Sequence, residues 1–205
     1  MDLTPNQKFN SIIKNIDPSN KPNLFLHTCC APCSCGVFYK LVDYFNIYLI
    51  FSNSNINTFL EYNLRLFELK SLEDKLNLSF KIIYSDYNHN DFLDYVSGLE
   101  NEPEGGKRCK KCFEFRLKHS HQIAIDYIKQ NDLSSDKNYL STTLTVSPHK
   151  NSALINSIGE EICSNSIIDF LPSDYKKEDG YYNSIILSKK NHLYRQKYCG
   201  CEFSK

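Results

Sequence analysis

No apolar run in the 205-residue chain approaches the roughly 20 residues that span a bilayer, so no membrane association is expected. Residues 1–22 are polar and lack the apolar core of a secretory signal, which makes the cytoplasm the expected setting. Neither sign of charge is in excess: 24 Lys and Arg balance 24 Asp and Glu. A neutral chain has no long-range pull on nucleic acid, so any RNA contact must come from a local patch. Internal repeats and visible domain boundaries are missing too. The length suits one sizeable core, and a single domain over 1–205 is expected. A glycine-rich phosphate loop is also absent. Where an ATP-pyrophosphatase would carry Ser-Gly-Gly after its first strand, this chain has cysteines, which disfavours ATP use.

Cysteine is what the chain has in plenty. Four of its nine fall in His27-Thr28-Cys29-Cys30-Ala31-Pro32-Cys33-Ser34-Cys35, directly after the apolar run Leu24-Phe25-Leu26. The rest are Cys109 and Cys112, the isolated Cys163, and Cys199 and Cys201. In a reducing cytosol, clustered thiols bind metal or do redox chemistry rather than form disulfides. Neighbouring thiols cannot all point into one core, and Pro32 is expected to hold the backbone between them out of regular structure. Cys163 reads as a small buried hydrophobe.

The hydrophobic pattern alternates strand and helix. Strands are expected at Asn23–His27, 47–51, Lys81–Tyr84, 139–143 and 167–171. Helices are expected at 6–16, 37–45, 58–76, 91–96, 109–130 and 182–189, with another opening at Ser147-Pro148 and running towards Ile162. In 58–76 the periodic residues are Leu60, Leu64, Phe67, Leu72 and Leu76; in 109–130 they are Phe113, Leu117, Ala124 and Ile128. This is the pattern of an α/β fold, a parallel sheet flanked by helices. Its ligand sites lie beyond the carboxyl ends of the strands, where the cysteine loop follows the first strand.

Cys109 and Cys112 stand three apart on a helix start, so both sulfurs face one side. Such a pair suits zinc, an iron-sulfur cluster or a cycling dithiol. For one tetrahedral zinc the vicinal Cys29-Cys30 pair is awkward and too many thiols are left over. An iron-sulfur cluster uses four, and the surplus can hold a second metal. Around the pair runs Lys107-Arg108-Cys109-Lys110-Lys111-Cys112, followed by Arg116 and Lys118. Tyr194-Arg195-Gln196-Lys197-Tyr198 interleaves cations with aromatics that can stack on bases. Either stretch reads as a solvated face or as a phosphate-binding patch. His27 and His149 read as structural histidines or as proton donors. Two other readings stay open at this point: a zinc-stabilised RNA-binding module without catalysis, and a small iron-sulfur electron carrier.

Four motifs occur in order from Leu24 to the C-terminus. They are His27-x-Cys29-Cys30-Ala31-Pro32-Cys33, Glu102-Pro103-Glu104-Gly105-Gly106-x-Arg108-Cys109-x-x-Cys112-Phe113-x-x-Arg116-Leu117, Thr142-Thr143-Leu144-Thr145-x-Ser147-Pro148-His149-Lys150-Asn151, and Tyr194-Arg195-Gln196-x-Tyr198-Cys199-Gly200-Cys201-x-Phe203-Ser204. Together they resemble the cobalamin-independent epoxyqueuosine reductases, the QueH family. The resemblance implies a Rossmann-like domain related to adenine-nucleotide α-hydrolase folds, holding a [4Fe-4S] cluster with a further mononuclear iron close by. It implies the last step of queuosine synthesis, reductive removal of the epoxide oxygen from epoxyqueuosine at the wobble position of tRNA, with electrons from an external donor. By the same carry-over Cys29, Cys30, Cys109 and Cys112 are the cluster ligands. Cys33, Cys199 and Cys201 are candidates for the second metal or for redox thiols, His27 is a catalytic candidate, and Cys35 is a bystander. Arg108, Lys110, Lys111, Arg116 and Arg195 are the expected phosphate-positioning cations. The family tends to have Asn-Pro-Asn-Ile where this chain has Asn53-Ser54-Asn55-Ile56, a change expected to loosen that loop.

Overall fold

Five strands, β1 (Asn23–His27), β2 (Asn46–Phe51), β3 (Lys81–Tyr84), β4 (Asn138–Thr142) and β5 (Asp169–Phe170), pair in parallel in the order β3-β2-β1-β4-β5. They belong to a computed structural model that describes residues 3–134 and 136–204; Met1, Asp2, Ser135 and Lys205 lie outside the described residues. β1 is central and fully buried, and its side chains alternate between two cores. Leu24 and Leu26 join Leu49 and Phe51 on one face with Phe38 and Leu41 of α2 (Ala31–Leu41). On the other face Phe25, Ile50 and Leu140 pack against Ala124 and Ile128 of α6 (Lys107–Gln130). β1 has β2 on one side and β4 on the other, so the direction of winding changes at its carboxyl end. That crevice is where sheets of this kind bind ligands. The remaining helices are α1 (Pro5–Lys14), α3 (Phe59–Lys70), α4 (Leu72–Leu76), α5 (His89–Tyr95), α7 (Ser152–Cys163) and α8 (Gly180–Lys190). None is long and apolar enough to cross a membrane, counting described residues.

The expected α/β architecture is present, with several local differences. α2 begins inside the cysteine motif: Cys30 is its N-cap, and Pro32 lies in the first turn. Proline suits that turn because the N–H it lacks would have no intrahelical acceptor anyway. Pro32 therefore starts a helix instead of interrupting one. The expected helix over 58–76 is two helices divided at Ser71, whose hydroxyl donates back to the Glu68 carbonyl at 2.8 Å. Leu72 and Leu76 are buried as expected, but in the first half the buried stripe is different. Tyr62, Leu66 and Leu69 face the core, while Leu60 is 80% and Phe67 70% exposed. Both stripes have helical spacing, so period alone could not choose between them. Ser147-Pro148 caps nothing. β4 runs into a short 3-10 turn, Thr143–Val146, and α7 is capped by Asn151, whose Oδ1 accepts from the Leu154 N–H at 3.1 Å. Residues 147–150 are left as a bend at the sheet edge.

Where α7 crosses β5, Gly159 lies flat against the Phe170 ring, and a Cβ there would overlap the ring carbons. Gly159→Ala is expected to destabilise the fold by about 1–3 kcal/mol through overpacking. The denaturant midpoint of the purified variant checks this; an unchanged midpoint would contradict the packing.

Candidate metal centre and adjoining cavity

Three parts of the chain deliver thiols to the carboxyl edge of the sheet. Directly beyond β1, the Cys29 N–H donates to the Thr143 hydroxyl at 3.3 Å, and its Sγ lies 3.5 Å from the same oxygen. Cys30 caps α2 and Cys33 follows in the first turn, so the sulfurs of Cys29, Cys30 and Cys33 fall within 4.8 Å of one another. The first turn of α6 carries Cys109, which accepts the Gly105 N–H at 3.2 Å, and the buried Cys112. The C-terminal segment brings Cys199 and Cys201. All nine cysteines are free thiols. Two helix N-termini thus meet the sulfurs, and their amide dipoles favour negative charge there.

The C-terminal segment is held by contacts from neighbouring elements. Gly200 accepts from the Asn57 N–H at 3.0 Å, and the Cys199 carbonyl accepts from Arg65 at 3.0 Å. Glu202 meets His89 Nε2 at 3.0 Å. Gly200 has φ +133°, and a Cβ on it would meet Ile56, Arg65 and Asn55 at 3.2–3.4 Å. Only glycine combines that backbone angle with so close an approach. The loop beneath, residues 52–56, is wholly buried. Asn53 ties it down: Nδ2 donates to the Thr28 carbonyl at 2.8 Å and Oδ1 accepts from Arg116.

Cations surround the thiols. Arg116 is 2% exposed, its Nε has no hydrogen-bond acceptor, and among the described residues no carboxylate forms an ion pair with it. Hydrogen bonds from Cys30 and Cys33 hold the Cys29 thiol well below its usual pKa against the cost of burial, aided by Lys150 and Arg116. The partner thiols carry the protons: Cys30 is pushed up to about 12 by its bond to Cys29, and Cys33 is raised for the same reason. Burial pushes Cys112 up to about 12. Burial acts to lower Lys150, but the sulfurs of Cys199 and Cys29 outweigh it and raise its pKa. Burial, with Arg116 beside it, pushes His27 down to about 3.

A cavity of about 650 Å³ opens beside the thiols; Cys29, Cys33, Lys150, Arg195, Gln196 and Tyr198 are among its lining residues. A much smaller cavity lies behind it, lined by Cys109, Cys112, Cys199 and Cys201. Glu104, His149, Lys150, Cys199 and Ser204 belong to both walls.

The seven expected thiols therefore assemble, but their neighbour sets differ from the expected division. Cys33 stands with Cys29 and Cys30, and Cys112 feels Cys109, Cys199 and Cys201. The sets touch where Cys109 packs against the cluster of residues containing Cys29 and Cys30. Cys35 points away, donating to the Pro32 carbonyl at 3.2 Å and approaching Ser188 of α8. Cys163 is in the core with Ile128 and Phe170. Two of the five cations expected at phosphates are buried. Arg108 donates to the carbonyls of Leu99, Glu100 and Glu102 and stacks 4.7 Å over Phe203, fastening loop to terminus. Arg116 is sealed behind the thiols, and neither guanidinium can reach an RNA backbone. Lys110 and Lys111 are exposed on α6, with Lys111 paired to Glu114 at 3.2 Å, and Arg195 is exposed at the cavity. His27 is fully buried, its Nδ1 2.7 Å from the Thr142 hydroxyl, and neutral at physiological pH. Sequence reasoning missed Lys150, Gln196, Thr143 and the Asn53 tie. Lys150 and Thr143 stood inside a motif already noted; what hid their role was reading Ser147-Pro148 as a cap.

Comparison with known proteins agrees with this arrangement of motifs. A family model described as epoxyqueuosine reductase QueH matches residues 24–205. The chain is 35% identical to the epoxyqueuosine reductase QueH of Streptococcus pyogenes serotype M1, covering 98% of this chain and 80% of that protein. It is 36% identical to the protein of that name from Staphylococcus epidermidis, over 90% of this chain and 76% of the relative. The Thermotoga maritima protein of the same name is 31% identical, over 88% of this chain and 89% of the relative.

Proposed function

The chain belongs to the epoxyqueuosine reductase QueH family, and on that premise we propose that it reduces epoxyqueuosine in tRNA to queuosine, using a [4Fe-4S] cluster and a nearby iron. The observation that carries the reading is that Cys29, Cys33 and Cys199 line a nucleotide-sized cavity, with Cys109, Cys112 and Cys201 lining the smaller cavity that shares its wall and Cys30 grouped with Cys29 and Cys33. The donor set fits the group: soft thiolates suit iron-sulfur clusters, and a buried guanidinium without a carboxylate calls for an anion beside it. A zinc-only module would leave thiols over, and an electron carrier would have no use for the cavity.

Opening the epoxide to an alkene consumes two electrons and two protons and releases the oxygen as water. When bound, such a centre supplies single electrons and a Lewis acid. Cys29 and Cys30 from one thiol set and Cys109 and Cys112 from the other would hold the cluster. Cys33, Cys199 and Cys201 then remain for the second iron. The cavity receives the modified nucleotide, and Arg195 and Lys197 at its wall take flanking phosphates. Lys110 and Lys111 extend this basic rim along α6. Lys150 presents an ammonium to the cavity beside Cys29, Cys33 and Cys199, where the oxygen departs; Glu104 and His149 are the other proton-bearing groups on that wall.

Anaerobically purified protein is expected to be brown, to contain iron and sulfide, and to convert epoxyqueuosine to queuosine in tRNA when given dithionite, as read by nucleoside mass spectrometry. Colourless protein with zinc and no sulfide would overturn the reading. Arg195→Ala is expected to weaken tRNA binding and to lower the slope of log affinity against log salt by about 1, with turnover of bound tRNA little changed. An unchanged salt slope would remove Arg195 from the interface.

A further inference from the structure

We propose that Arg116 is the counter-charge of the thiol centre and sets the potential at which that centre accepts electrons, an inference that rests on the proposed function. Arg116 lies one helical turn beyond Cys112 and two beyond Cys109, on the same face of α6. Its Nη2 donates to Asn53 Oδ1, and Asn53 Nδ2 donates to the Thr28 carbonyl at 2.8 Å, one residue before Cys29. The guanidinium is thereby fixed between the start of α6 and the carboxyl end of β1. Its Nε is left without an acceptor.

The other two buried guanidiniums also leave one nitrogen each without a partner, but they make more hydrogen bonds than Arg116 does. Arg65 pairs with Glu61 at 2.7 Å and donates to the Cys199 carbonyl, and Arg108 donates to carbonyls of its loop. Arg116 has one neutral amide oxygen. A buried cation costs several kcal/mol unless an anion accompanies it. The groups beside it that can be negative are sulfurs, since both Cys29 and Cys112 feel its charge. Arg116 does not line the substrate cavity, whereas Lys150 does, so its charge reaches the reaction only through the centre. A cluster on thiolates becomes more negative by one charge on reduction, and a fixed cation favours the reduced form.

The test is a dye-mediated reductive titration of anaerobic holoprotein for wild type, Arg116→Met and Arg116→Lys. Arg116→Met is expected to shift the one-electron reduction equilibrium by roughly tenfold, or about 59 mV, towards more negative potential. Arg116→Lys, which keeps the charge, is expected to stay close to wild type. Equal midpoints for Arg116→Met and wild type at equal iron content would overturn the proposal. If Arg116→Met holds no iron, a loaded Arg116→Lys supports the counter-charge and an empty one overturns it, since shape rather than charge would then be what matters. The proposed function is judged separately, on whether wild-type protein contains iron and sulfide and reduces the tRNA.

Discussion

Cys112→Ala protein is expected to lose most of its iron and sulfide and to reduce epoxyqueuosine-tRNA more than about a hundredfold more slowly than wild type. Outer-sphere partners of a metal site are each worth about 10–100-fold, and a ligand lies closer than they do. Cys112 is buried, carried by a rigid helix, and flanked by Cys109, Cys199 and Cys201. The comparison that gives this meaning is Cys35→Ala. Cys35 is equally buried but bonded towards α8, so its loss is expected to cost about 1 kcal/mol of stability and no iron. Metal and sulfide analysis of the two proteins decides the matter. Full iron and normal turnover in Cys112→Ala would remove Cys112 from the centre.

The second large effect is expected from Lys150→Met. Its ammonium is held at the common wall of the two cavities, with the sulfurs of Cys29, Cys33 and Cys199 as its electrostatic partners. A preorganised charge directed at a departing oxygen typically contributes about 10²–10³ in turnover. Lys150→Met is therefore expected to lower kcat by about a hundredfold while tRNA affinity and iron content stay near wild type, and Lys150→Arg is expected to recover part of the loss. The split distinguishes this residue from Arg195, whose loss should appear in binding and its salt dependence. Equal kcat for Lys150→Met and wild type would show that another group on that wall, Glu104 or His149, meets the oxygen.

The parts of the fold that could be read in the sequence are those where chemistry and period agree. Asn23–His27 and Lys81–Tyr84 are short β-favouring runs between polar breaks, and both strands begin and end at those residues. The face Phe113, Leu117, Ala124, Ile128 of α6 is buried as expected, and Cys112 and Phe115 beside it bury against Phe92 and Val96. Leu60 and Phe67 misled because α3 has two apolar stripes, and the choice between them is made by Phe51 and Tyr62 across the sheet. At the site, thiol spacing announced the centre, but charge type hid the roles of Arg108 and Arg116. A guanidinium beside a cysteine pair looks like surface in a string of Lys and Arg. That it turns inward depends on the loop carbonyls at Leu99 to Glu102 and on Asn53, which the topology supplies. Lys150 was obscured by local geometry, since a cap at Ser147 would have started α7 four residues early and carried Lys150 into its first turns.

The thiols of this centre come from opposite ends of the order of synthesis. Cys29, Cys30 and Cys33 leave the ribosome before any strand but β1 exists, and Cys199 and Cys201 follow only after β5 and α8. At translation rates of about 5–20 residues per second, roughly ten to thirty seconds separate the two events. Through that interval the nascent chain displays three closely spaced thiols with no lid, and the Asn57–Gly200 and Arg65–Cys199 hydrogen bonds that would bring in the last pair cannot yet form. Completion of the thiol set is thus tied to completion of the chain: a product that ends before residue 199 carries the first thiols without Cys199 and Cys201.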